Sequence, residues 1–158
     1  MLRPFLAVLI AAGLVACFRP APSTPGGTAS AKHEHHPPHG GTPVVLGAEI
    51  YHLELVRDSA AGRISAFVLD GEMENFVRIN SPSIELTVAI GGQSRPLVLA
   101  AVANPATGET VGSTSLFEGQ ADWLKTTPEF NAVLTRIEIR GTVFTAVAFN
   151  FPHGNDRD

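Results

Sequence analysis

Ile84-Glu-Leu-Thr-Val-Ala-Ile90-Gly91-Gly92-Gln-Ser-Arg-Pro-Leu97-Val-Leu-Ala-Ala-Val102 carries the cleanest alternation in the chain. Ile84, Leu86, Val88 and Ile90 fall on one side, and Glu85, Thr87 and Ala89 on the other. That period of two is the mark of a strand with one face in a core and one in water. Gly91-Gly92 then turns the chain into a second strand over Leu97–Val102.

The same grammar extends outward on both sides. Val44 to Leu46 stops at Gly47, Ile50 to Arg57 stops at Asp58-Ser-Ala-Ala-Gly62, and Arg63 to Leu69 stops at Asp70-Gly71. Downstream, Ile137 and Ile139 alternate with Arg136, Glu138 and Arg140, and Gly141 turns the chain into Val143–Phe151. Phe117, Ala121, Leu124, Phe130, Val133 and Leu134 recur at helical spacing and predict a helical connection over 116–134, split at Pro128. Short strands, glycine-rich turns and one short helical connection predict an all-β fold. The expected form is an antiparallel β-sandwich of immunoglobulin-like shape over 43–154, with 155–158 as a tail. It lacks the paired cysteines of immunoglobulin domains, and Trp123 is expected against a sheet edge.

The N-terminus reads differently. Arg3 precedes an apolar run from Phe5 to Ala16, which closes in Leu14-Val15-Ala16-Cys17. A charged start, a short apolar segment and a small residue before the cut predict a signal peptide over 1–16. The run is well short of the ~20 residues that a spanning helix needs. Leu-Val-Ala-Cys resembles the lipobox of bacterial lipoproteins. The resemblance implies that Cys17 becomes the acylated (palmitate-type) N-terminus of the mature chain and its membrane anchor. By the same resemblance, Phe18 after the cysteine implies the outer membrane, facing the periplasm.

Cys17 is the only cysteine, so lipidation would leave no disulfide, thiolate nucleophile or cysteine metal site. Stability must then come from a core, and the roughly 115 residues after Thr42 suffice for one. Without Arg3 the chain holds 10 Lys+Arg against 15 Asp+Glu, a mildly acidic balance. No basic stripe suggests a nucleic-acid partner, and membrane contact is expected through the lipid alone.

Residues 17–42 read as a tether. Pro, Ser, Thr, Gly and Ala dominate Arg19–Lys32, which has too little apolar surface to offset the entropy of ordering. Then comes His33-Glu34-His35-His36-Pro37-Pro38-His39-Gly40-Gly41. Clustered imidazoles suit Zn, Cu, Ni or Co. An extended Pro37-Pro38 would set His36 and His39 roughly 9 Å apart, too far for one ion unless the segment folds around it. The expectation is a loose, exchangeable site. The alternative is a polar leash that happens to be rich in histidine.

On a period-two strand His52 shares a face with Glu54, either as a carboxylate-supported imidazole or, more ordinarily, on a solvated surface. Pro152-His153-Gly154 echoes Pro38-His39-Gly40. If the two ends of the domain lie close, His39, His52 and His153 could meet. Asp70, Glu72, Met73, Glu74 and Asn75 follow a strand and are expected to form a solvated acidic turn. There is no Gly-x-Ser-x-Gly elbow, His-Glu-x-x-His helix or phosphate-binding glycine loop, so catalysis is not expected.

Pro38-His39-Gly40-Gly41, Tyr51-His52-Leu53-Glu54-Leu55-Val56 and Phe67-Val68-Leu69-Asp70-Gly71 follow one another at short intervals. Together with Gly141-Thr-Val-Phe144 and Phe149-Asn-Phe-Pro-His-Gly154, they resemble a family of bacterial lipoproteins and exported domains. That family is similar to regions beside or fused to periplasmic adaptors of heavy-metal efflux systems. The resemblance marks His39, His52 and Glu54 and implies metal handling by association. The expectation is therefore a lipid-anchored envelope protein that binds or buffers a divalent transition metal and serves efflux-system proteins. The competing expectation is a structural or protein-interaction lipoprotein.

Overall fold

The alternation over Ile84–Ile90 becomes a strand whose Ile84, Leu86 and Val88 are at most 1% exposed, while Glu85, Thr87 and Ala89 face solvent. A computed structural model describes residues 36–156 of the chain. Its strands are β1 (Thr42–Leu46), β2 (Tyr51–Asp58), β3 (Arg63–Asp70), β4 (Ser83–Ile90), β5 (Gln93–Ala101), β6 (Leu116–Gln120), β7 (Phe130–Ile139) and β8 (Thr142–Phe151). Gly91 and Gly92 both take positive φ, 57° and 77°, so the β4–β5 turn is one that glycine makes without strain.

All eight strands join one antiparallel sheet in the order β1-β2-β3-β6-β5-β4-β7-β8. β4, β5 and β6 are consecutive neighbours, and β7 returns through residues 121–129 to lie beside β4, a Greek-key arrangement. The all-β, antiparallel expectation holds. The two-sheet sandwich gives way to one nearly closed, barrel-like sheet, because β6 pairs with β3 on one side and β5 on the other. Gly119 permits that junction, since a Cβ there would lie 2.6 Å from Leu99 Cδ2 and 2.8 Å from the Val98 carbonyl. Leu, Ile, Val and Phe side chains from all eight strands fill the interior.

The expected helical connection over 116–134 is a correction. The segment is β6, a single 3-10 turn at Asp122–Lys125, and the start of β7. Phe130, Ala132 and Leu134 are buried while Asn131, Val133 and Thr135 are exposed, so the period is two. Leu124 plugs the core from the short turn, and Trp123 meets Phe130 edge-on, ring centroids 5.3 Å apart.

The barrel is closed at its seam by side chains. Asn155 Oδ1 accepts from the Val45 amide (2.7 Å), and Asn155 Nδ2 donates to the Val45 carbonyl (3.1 Å). One side-chain amide thus pairs with the open edge of β1 as a neighbouring strand would. Thr42 Oγ1 donates to the Pro152 carbonyl at 3.1 Å, and a Cβ on Gly154 would collide with the Pro43 carbonyl oxygen. Asn155 is therefore part of the domain rather than of a tail, and at the other end the fold begins before Pro43.

Candidate metal-ligating site

β2 is buried on both faces. Leu53 and Leu55 point into the core, while His52 and Glu54, on the alternate face, are each 0% exposed. A carboxylate out of water must be hydrogen-bonded to be tolerated. Glu54 accepts from the His39 amide (2.7 Å), the Gly41 amide (2.9 Å) and the His39 ring Nδ1 (2.8 Å). The segment before β1 is thereby fastened to β2.

The local sequence explains why the chain can lie there. The Gly40 amide donates to the Pro37 carbonyl at 3.0 Å, and Gly40 takes φ 65°, closing a turn over Pro37–Gly40. Gly41 runs against β2 so closely that a Cβ would sit 2.7 Å from the Leu55 carbonyl oxygen and 2.8 Å from Glu54 Cγ. The extended polyproline path expected between His36 and His39 is replaced by this turn. His39 is consequently fixed to the domain and does not belong to a loose leash.

Its ring is held in two directions. It stacks on Phe67 (centroids 4.0 Å apart, 17° between planes), with Phe76 tilted nearby at 5.8 Å. The side chain is 40% exposed although its partner is wholly buried. Because Nδ1–H donates to a carboxylate, the neutral ring carries its lone pair on Nε2. That tautomer, set by a supporting carboxylate, is the one found where histidine ligates a metal.

His52, expected on a solvated strand face, is instead fully buried, with Nδ1 3.3 Å from the Asp70 carbonyl. The loop after β3 folds back beside Leu69, the register partner of His52. Leu69 bridges to Phe76, and Met73, also on that loop, is 2% exposed. The expected turn of solvated acids holds for Glu72 and Glu74, which are exposed, while Met73 between them turns inward. Burial pushes the Asp70 carboxyl up, but hydrogen bonds from the Asn75 side chain and from the backbone amides of Glu72, Glu74 and Asn75 outweigh it. They hold the group below the ordinary aspartate range.

His36 is exposed. His153 is also exposed, its amide 3.4 Å from Asn150 Oδ1. The two ends of the domain do approach, since Gly40, Gly41 and Pro152 line one shallow depression. Even so, His39 turns to Glu54 and His52 to Asp70, and no three His, Cys, Asp or Glu side chains gather as a ligand set among the described residues. Cys17, His33 and His35 lie outside the described residues.

Sequence reasoning missed Phe67 and Phe76 as the walls of the His39 ring and Asn155 as the seam clasp. It also missed Glu109, whose carboxylate accepts from the Ser115 amide (2.8 Å), the Ser115 hydroxyl (2.7 Å) and the Thr107 hydroxyl (2.9 Å). Burial raises Glu109, and these bonds, with the Arg78 charge, more than reverse it, leaving the carboxyl below the usual range. No helix among the described residues is long and apolar enough to cross a membrane. A scan of family models and searches of curated proteins and solved structures each returned no match to this chain.

Proposed function

We propose that this chain is a non-catalytic, lipid-anchored protein of the bacterial envelope that captures a divalent transition metal through its histidine-rich segment. Cys17 carries the anchor, in the outer membrane facing the periplasm. His39 is the fixed ligand, and His33, His35 and His36 close on the ion from the chain immediately before it. His52, Glu54 and His153 are not direct ligands in this reading, and Glu54 supports His39. Zn, Cu, Ni and Co all suit imidazole donors. Delivery to or from efflux-system proteins is the role such an exchangeable site would serve.

The observation that carries this reading is the His39–Glu54 pair, 2.8 Å between Nδ1 and a wholly buried carboxylate, on a ring that is 40% exposed. A chain that used His39 only as a fastener would gain most of that effect from the two backbone amides, which already bind Glu54 at 2.7 and 2.9 Å. The ring bond adds a set tautomer and an outward lone pair.

Calorimetric titration of the full, untagged chain with zinc, copper, nickel and cobalt tests it. One ion per chain is expected, with binding abolished in the H33A/H35A/H36A variant and weakened in H39A. A chain that purifies without metal and gives no heat with any of the four ions leaves the competing reading, a structural or protein-interaction lipoprotein.

A further inference from the structure

Seven cationic side chains fall among the described residues. Arg57 donates to the carbonyls of Leu124 and Lys125, and Arg63 pairs with Asp58 and Glu118. Lys125 pairs with Asp122, Arg95 with Gln93, and Arg136 with Glu138. Arg78 is spent on the Thr107 and Gly108 carbonyls and on Glu109. Among these seven, Arg140 alone has neither a side-chain hydrogen bond nor an ion pair.

Its backbone is unusual as well. Arg140 takes φ 49° and Gly141 φ 84° at the tip of the β7–β8 hairpin. Asn, Asp or Gly is the ordinary choice at the first of these positions, and a long side chain there costs about 1 kcal/mol. Glu49, Met73 and Ala146 also take positive φ, but among the cationic residues only Arg140 does, and strain of this kind clusters at ligand sites.

The tip borders an open depression of about 440 Å³, walled on one side by Arg78–Ser81 and on the other by Arg136, Glu138 and Arg140. Arg78 is balanced by Glu109, so two guanidinium groups face one carboxylate there. The Arg136–Glu138 pair is 2.8 Å long, yet both side chains are at least half exposed, 56% and 50%. Such a pair is weak and open to exchange. In a chain of net charge −4 this local surplus of positive charge is not a property of the whole surface.

We infer that the β7–β8 tip binds a phosphate-type oxyanion between Arg140 and Arg136. The anion takes the place of Glu138 at Arg136 and supplies the partner Arg140 lacks. Guanidinium forks match phosphate oxygens in plane and spacing. Free phosphate and the headgroup of an anionic lipid share this chemistry.

The full chain is titrated with inorganic phosphate while the Arg140, Gly141 and Asn80 amides are followed by NMR. In parallel, its sedimentation is measured with phosphatidylglycerol vesicles and with phosphatidylcholine vesicles, using delipidated chain. Arg140→Asn suits the left-handed backbone, so it keeps the fold while removing the charge. Saturable phosphate shifts, about tenfold weaker in R140N and unchanged in R95A, support a soluble anion. Arg140-dependent binding to phosphatidylglycerol vesicles alone supports the headgroup. Silence in both arms overturns the site, as does an R140N response equal to wild type or an R95A loss equal to that of R140N.

Discussion

Glu54 grips His39 twice, by the backbone amide at 2.7 Å and by ring Nδ1 at 2.8 Å, across a separation of fifteen residues. This pairing converts the end of a histidine-rich run into a fixed part of a β domain. It also separates two roles that sequence motifs merge, since the amides fasten the chain while the ring presents Nε2.

Replacing Glu54 by Gln tests that separation. A Gln oxygen still accepts from the His39 and Gly41 amides, but its NH₂ group against the ring requires Nδ1 to accept. Nε2 then carries the proton and loses its outward lone pair. Stability is expected to fall by about 1–3 kcal/mol, read by urea unfolding. Zinc affinity is expected to fall about 10–100-fold, read by calorimetry. Equal affinity in E54Q and wild type would show that the carboxylate does not tune the ligand.

The two glycines of the His-Gly-Gly turn should fail for different reasons. Gly41→Ala forces a Cβ to 2.7–2.8 Å from Leu55, Glu54 and Val56, an overpacking cost of about 1–3 kcal/mol. At Gly40 nothing lies within 4 Å of a Cβ, but φ is 65°, so Gly40→Ala should cost about 1 kcal/mol through the backbone alone. Hydrogen exchange at the His39 and Gly41 amides would separate them, with the larger loss of protection in G41A.

The strand grammar was legible where both faces behave simply. The β4–β5 hairpin and the Arg140-Gly141 turn follow from alternation and turn residues. Residues 116–134 misled because Phe130 and Leu134 are spaced four apart, which fits one helix face as well as one strand face. His52 misled because an alternating strand reports which residues share a face, not whether a loop such as 71–77 folds back beside it. The Glu54 clasp was half legible: His39 and Glu54 were singled out separately, but only the closing of the Pro37–Gly40 turn brings them together. Asn155 gave no signal at all, since its role depends on one carboxamide meeting one strand edge.

Acid should loosen the β5–β6 connection. The folded-state pKa of Glu109 lies below its ordinary value of 4.5, so its contribution is fully present above about pH 4.5 and is lost as pH falls through the lowered folded value. Glu109→Gln removes that pH-dependent part. Between pH 6 and pH 3 the wild type should lose more stability than E109Q, and the two curves should converge at the acid end. Parallel curves would mean that the Ser115 and Thr107 bonds contribute nothing specific to the ionised form.

The seam clasp gives the last test. Asn155→Ala deletes both bonds to Val45, at 2.7 and 3.1 Å, and should cost about 1–2 kcal/mol. Stability alone would not distinguish this from any other lost pair. The distinguishing consequence is an unpaired β1 edge, which invites pairing between chains. N155A should therefore show concentration-dependent association by analytical ultracentrifugation where wild type stays monodisperse, while Asn155→Gln, which keeps the carboxamide, should associate less than N155A. An N155A chain that is destabilised yet remains monodisperse would place Asn155 among ordinary loop contacts, with β1 guarded instead by Pro152 and Gly154.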